Sequence, residues 1–186
     1  MKKHRIRPIL FVEGSANTSN GNLRLGINKL LAQVLRGKMP KIIMGEGRSQ
    51  TVRKFKNSHE DFNLLLIDSD CREDELPVTC QQLQIEYDQN TFFMIQEMEA
   101  WFISQKPILE KYYNKQVVTA IKKLGAPKSI TKPSKELRKY TTNHKKREYE
   151  KVKHATDLLL RLNASQLMKD FPEFKRLVER IREICK

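Results

Sequence analysis

Four short, uninterrupted apolar runs constrain the fold of this chain more than any other feature: Ile9-Leu-Phe-Val12, Ile42-Ile-Met44, Leu64-Leu-Leu-Ile67 and Phe92-Phe-Met-Ile95. A strand with one face in water alternates apolar and polar residues. Continuous apolar character instead requires cover on both faces, as helices provide for a parallel sheet. The intervening segments supply candidates for that cover. Leu23, Ile27, Leu30, Leu31, Val34 and Leu35 share one helical face, with Asn22 placed to cap it and Gly37 to end it. Arg48 to Lys56 predicts a second helix, and Glu73 to Gln84 a third that Pro77 interrupts near its start. Strand, helix, strand at this spacing is the βαβ pattern of an open parallel sheet.

After Met98 the periodicity is helical throughout. Ala155, Leu158, Leu159 and Leu162 form one stripe, and Phe174, Leu177, Val178, Ile181 and Ile184 another that starts near Asp170 and Pro172. The expected organisation is an α/β core over residues 1–105, with a helical, basic part over 106–186 packed on it. The chain has 186 residues, within the range of one domain.

Lys and Arg outnumber Asp and Glu by 36 to 22, a formal charge of +14. Such an excess attracts polyanions at a distance and gains affinity by releasing counterions from neutralised phosphates. Between Lys122 and Lys153 the imbalance is local: twelve Lys or Arg against three Glu, with Lys145, Lys146 and Arg147 consecutive. The three cysteines form no CxxC and cannot all pair, and the four histidines have no zinc-site spacing, so any metal should be a hard one held by oxygen. The apolar run after the basic start is four residues long, too short for a secretory signal, and nothing approaches the ~20 residues of a membrane span. A cytoplasmic protein without membrane attachment is expected.

Three of the four runs end in acids: Val12-Glu13-Gly14, Ile67-Asp68-Ser69-Asp70 and Ile95-Gln96-Glu97-Met98-Glu99. All carboxyl ends of a parallel sheet lie on one edge, where open α/β proteins bind ligands, so these acids converge. Convergent carboxylates repel unless a cation neutralises them. Magnesium suits them because it takes oxygen ligands and keeps positions for water and phosphate. Asp68 and Asp70, two apart, project to the same side of an extended chain. Glu13 is a poor turn former beside a glycine that lets a ligand approach. Of Glu97 and Glu99, one can complete the metal shell and the other can favour the following helix start, with Glu99 the better ligand candidate. Gly45-Glu46-Gly47-Arg48 can turn backbone amides and a helix N-terminus toward a phosphate, with Arg48 and Arg53 beside it. Trp101 and Phe102 are candidates for stacking on a base, and Lys151 for neutralising a phosphate oxygen.

With these motifs the chain resembles the Toprim family, in which a glutamate after the first strand and an Asp-x-Asp after a later one bind metal. Val12-Glu13-Gly14, Asp68-Ser69-Asp70, Met94-Ile-Gln-Glu-Met-Glu99-Ala-Trp101-Phe102 and Tyr149-Glu150-Lys151 together look like the small Toprim-like proteins of bacterial anti-phage defence, the AriB-like group. The resemblance runs from Phe11 to Phe174. Many members continue Val-Glu-Gly with a small residue and Thr-Glu, whereas here Ser15-Ala16-Asn17-Thr18 follows, so a second acid near Glu13 has no counterpart at that place.

What the resemblance implies is a Toprim-like open sheet of about four mainly parallel strands, Mg2+ or Mn2+ at Glu13, Asp68 and Asp70, and hydrolysis of DNA or RNA, tRNA included. Glu99 and Lys151 would join the catalytic set, and Arg48, Arg53, Lys145, Lys146 and Arg147 would hold nucleic acid. A partner ATPase and self-association are further expectations. Two alternatives stay open: a non-catalytic subunit binding nucleic acid or the ATPase, and a primase-like nucleotidyl transferase.

Overall fold

The computed structural model describes residues 7–15, 22–142 and 148–186. Four strands, β1 (Ile9–Val12), β2 (Lys41–Met44), β3 (Asn63–Asp68) and β4 (Thr91–Met94), form one all-parallel sheet in the order β2-β1-β3-β4. Helix α1 (Leu23–Leu35) joins β1 to β2, α2 (Arg48–Lys56) joins β2 to β3, and α3 (Leu76–Leu83) joins β3 to β4. Seven further helices follow: α4 (Glu99–Ser104), α5 (Lys106–Tyr112), α6 (Lys115–Lys122), α7 (Pro133–Thr141), α8 (Lys151–Leu159), α9 (Ala164–Asp170) and α10 (Pro172–Ile184).

The continuous apolar runs are strands buried on both faces, as their composition requires. Leu10, Val12, Leu64, Leu66, Phe92 and Met94 pack on one side with α1, α8, α9 and α10. Ile9, Phe11, Leu65, Ile67 and Phe93 pack on the other with Val52 of α2 and with Leu76 and Cys80 of α3. Alternate residues of a strand point to opposite faces, so each run feeds two cores. The larger core continues from Leu10 to Ile184 and includes residues of both the first and the second half of the chain.

Local signals explain the helix ends. The Asn22 side chain accepts the Leu25 N–H at 3.0 Å and caps α1, which ends at Leu35 with Arg36 left-handed. Pro77 stands in the first turn of α3, after a 3-10 turn over Glu73–Glu75. It therefore begins the helix where the sequence pattern had it interrupting one, since the first turn needs no proline N–H.

The helical second half is tied to the β4 edge by Glu173. This buried carboxylate accepts the Phe93 N–H at 3.1 Å and the Tyr87 hydroxyl at 3.0 Å, and pairs with Arg176. An exposed strand edge is thereby closed by α10. On the far side of the same core, α1 meets α8 at Gly26, where a Cβ would lie 2.8 Å from Leu159 Cδ1 and 2.9 Å from Leu159 Cβ. This close approach sets the depth at which α8 sits on the sheet.

Gly26→Val should therefore push α8 outward and cost about 1–3 kcal/mol, the range for overpacking a filled core. The urea midpoint of the variant against wild type measures it; an unchanged midpoint would show that α8 is free to shift.

Candidate functional site

The carboxyl edge of the sheet gathers side chains from five elements. Glu13 follows β1, Arg48 opens α2, Asp68 ends β3, Glu99 opens α4 and Lys151 opens α8. Glu13 and Asp68 are adjacent because β1 and β3 pair in register, and Glu13 Oε2 accepts the Asp68 N–H at 3.1 Å. Asp68 is buried. Its Oδ1 accepts the Met98 N–H at 2.8 Å and its Oδ2 a bond from Lys151 Nζ at 2.9 Å. Lys151 also stands 3.6 Å from Glu99 Oε2. Glu99 is 0% exposed: Oε1 accepts the Tyr149 hydroxyl at 2.6 Å, and Oε2 has no hydrogen-bond partner among the described residues.

Arg48 forms the second cationic junction. Its Nε lies 3.7 Å from Glu13 Oε2, and its Nη2 bonds Asp70. Asp70 is exposed and faces Lys132 at 3.7 Å. Expected to continue an extended chain beside Asp68, it instead adopts φ of 50°, in a turn where the Ser69 hydroxyl donates to the Cys71 carbonyl at 2.7 Å. The two aspartates are thus not aligned by strand alternation. Arg48 is what links Asp70 to the rest.

Burial dominates the titration of these groups. It pushes the Glu13 carboxyl up to about 7, with the neighbouring Asp68 adding to the rise and Arg48 opposing it. Burial likewise raises Asp68 despite Lys151, and raises Glu99 despite the same lysine. For Lys151, desolvation works against the charge, but Asp68 and Glu99 outweigh it and hold the ammonium above its usual range. The phenol of Tyr149 is raised well above its ordinary value by burial and by Glu99.

Among the described residues no three His, Cys, Asp or Glu side chains are close enough to hold a metal ion together. The cations explain this spacing, since Arg48 stands between Glu13 and Asp70 and Lys151 between Asp68 and Glu99. The acids are therefore partly paired, where simple convergence would have left them to repel. The donor set nevertheless fits a hard dication. Magnesium is commonly bound through one or two carboxylates plus substrate phosphate, with no all-protein cage. Glu13 and Asp68 are such a pair, side by side at the ends of two adjacent strands, and burial is what chiefly raises the proton affinity of both.

Other candidate residues go elsewhere. Glu97 Oε2 accepts the Ser134 N–H at 2.7 Å and so caps α7, which leaves Glu99 as the glutamate facing Lys151. Arg53 lines a cavity with Ile9 and Lys41, the first residues of β1 and β2, away from the carboxyl edge. The Gly45 and Glu46 amides are spent on the Val12 and Gly14 carbonyls at 2.9 and 2.8 Å, so this turn braces β1 and does not present them to an anion. Gly45 is required there by space, because a Cβ would fall 1.8 Å from Thr51 Oγ1. Trp101 and Phe102 are buried, Trp101 against the rings of Phe171 and Phe174, and neither can stack on a base. Lys145, Lys146 and Arg147 lie outside the described residues. The sequence reading missed Lys132, a lysine in a basic stretch with no local signal. It also missed the pairing of Arg48 with acids, which needs two strand ends side by side.

The chain matches the family described as Domain of unknown function (DUF4276) over residues 25–182 and belongs to that family. No curated protein and no solved structure matches it. No helix among the described residues is long and apolar enough to cross a membrane.

The acid cluster has a pH signature of its own. With its pKa raised from 4.5 to about 7, Glu13 keeps a proton in the folded state that the unfolded chain gives up, so its contribution to stability falls as pH rises across that window. In chelator, Glu13→Gln should match wild type near the lower limit and be more stable above the upper one. Denaturant midpoints across the window measure this, and a variant less stable than wild type on the alkaline side would contradict the assignment.

Proposed function

We propose that this chain is a metal-dependent phosphodiesterase that cleaves nucleic acid. The observation that carries the proposal is the pairing of Glu13 and Asp68 from adjacent strands, Asp68 buried and Glu13 partly so, both raised in proton affinity, beside two cations at the carboxyl edge of a parallel sheet. Glu13 and Asp68 would hold Mg2+ or Mn2+, while Asp70, paired with Arg48, stands apart from them. The bound ion supplies Lewis acidity to the phosphate and an acidified water.

The chain's own groups supply the remainder. Glu13, beside the Asp68 backbone at the strand end, is placed to take the proton of the attacking water. Lys151, kept charged by its neighbours, would meet the negative charge that develops on the phosphate oxygens. Glu99 and Tyr149 position Lys151. Arg48, linked to two of the acids, would contact a phosphate from the other side. The basic surface adds affinity without reading sequence.

The resemblance to small Toprim-like proteins extends the proposal to an effector of anti-phage defence in the cytoplasm, restrained by a partner ATPase. DNA and RNA, tRNA included, share the required phosphodiester chemistry.

The test is a cleavage assay on single- and double-stranded DNA and on total RNA, for the chain alone and with any co-purifying partner, in magnesium, manganese or chelator. Cleavage should require metal. Asp68→Asn and Glu13→Gln should each lose about 10²–10⁴-fold in rate, and Lys151→Met about 10²–10³-fold. Cleavage that persists in chelator, or that is equal in wild type and Asp68→Asn, overturns the reading.

A further inference from the structure

Next to the acid cluster the surface opens into a cavity of about 440 Å3, lined by Ser134, Lys135, Arg138, Tyr149, Glu150 and Lys151. Lys151 belongs to both sites: it forms part of the cavity wall, while its Nζ bonds Asp68 Oδ2 at 2.9 Å. A molecule in the cavity is thus one side chain away from the carboxylates.

The wall is cationic. Lys135, Arg138 and Lys151 face a single carboxylate, Glu150, which is already paired with Lys153 at 2.9 Å. Arg138 has Glu148 at 2.7 Å, whereas Lys135 has no ion-pair partner among the described residues. The wall is also held in place. Tyr149 is anchored through its hydroxyl to Glu99, and the start of α7, which carries Ser134, is fixed by Glu97 at 2.7 Å. The cavity is wide-mouthed, and a volume in the lower part of the ~300–1,000 Å3 range of small-ligand pockets suits one polar, anionic unit.

Building on the phosphodiesterase reading, we infer that this cavity receives the nucleotide next to the scissile phosphate, with its own phosphate toward Lys135 and Arg138. The substrate class is then an unpaired strand. A base inside a duplex reaches such a compartment only by leaving the stack, at a cost that single strands and frayed ends avoid. Lys151 would lie between the two phosphates and couple occupancy of the cavity to the cluster.

The test separates steric from electrostatic effects. Ser134→Trp fills the cavity without changing any charge, and the Ser134 backbone N–H to Glu97 is kept. Binding of dTpdT and of a blunt duplex is titrated in chelator for wild type, for Ser134→Trp and for the double variant Lys135→Ala/Arg138→Ala. Circular dichroism and melting confirm that each is folded. Wild type should bind dTpdT, and Ser134→Trp should bind it about tenfold more weakly, while duplex affinity, which needs only the surface charge, stays alike. Equal dTpdT affinity in wild type and Ser134→Trp overturns the inference, as does a wild type that binds the duplex but no dTpdT. Metal-dependent hydrolysis of bis(p-nitrophenyl) phosphate, which has no flanking nucleotide, tests the acid cluster separately. Its absence would remove the catalytic reading, and dTpdT binding in chelator would still decide the cavity.

Discussion

Everything at the carboxyl edge depends on the contact of Lys151 with Asp68 and Glu99. Two buried carboxylates cannot both ionise in an apolar surround without a counter-charge, and Lys151, itself partly exposed, supplies it. Lys151 is the first residue of α8, so the same contact that neutralises the acids also sets where the second half of the chain meets the sheet. Gly26 against Leu159 on the opposite end of α8 completes that placement. Fold and site are in this sense held by one helix.

The sheet supplies the rest of the geometry. Parallel pairing of β1 with β3 brings Glu13 within hydrogen-bonding distance of the Asp68 backbone, across 55 residues of chain. Arg48 reaches the same edge because the turn after β2 is locked to β1 through the Gly45 and Glu46 amides. Each of these groups stands on a strand end or a first helical turn, the places where a packed scaffold orients a side chain with little freedom.

Two cations interleaved with four carboxylates offset only part of the charge at this edge. That compensation is internal, through Arg48 and Lys151. In the proposed reading the remainder would be external, through a dication bound with an anionic substrate, which would free the two side chains for phosphate oxygens. The cavity beside Lys151 lies where such a phosphate chain would continue, and its wall carries the same sign of charge. The structure thus offers a single cationic path from the cavity to the acids.

The sequence by itself determined the architecture, because period and burial are local properties. Four runs such as Leu64-Leu-Leu-Ile67 could only be strands covered on both faces, and the stripe from Leu23 to Leu35 could only be an amphipathic helix. It also determined that Glu13, Asp68 and Glu99 would share an edge, since strand ends in a parallel sheet have one direction. What it left open were choices made by contacts between distant segments. Glu97 and Glu99 are two residues apart and chemically alike, yet one caps α7 and the other faces Lys151. Asp70 leaves the line of Asp68 because a left-handed turn intervenes, and Trp101 enters the core because α10 brings Phe171 and Phe174 to it. Only the tertiary structure decided these, because the energy of a buried charge or ring depends on which partners desolvate with it, and those partners lie far off along the chain, as Phe174 does from Trp101.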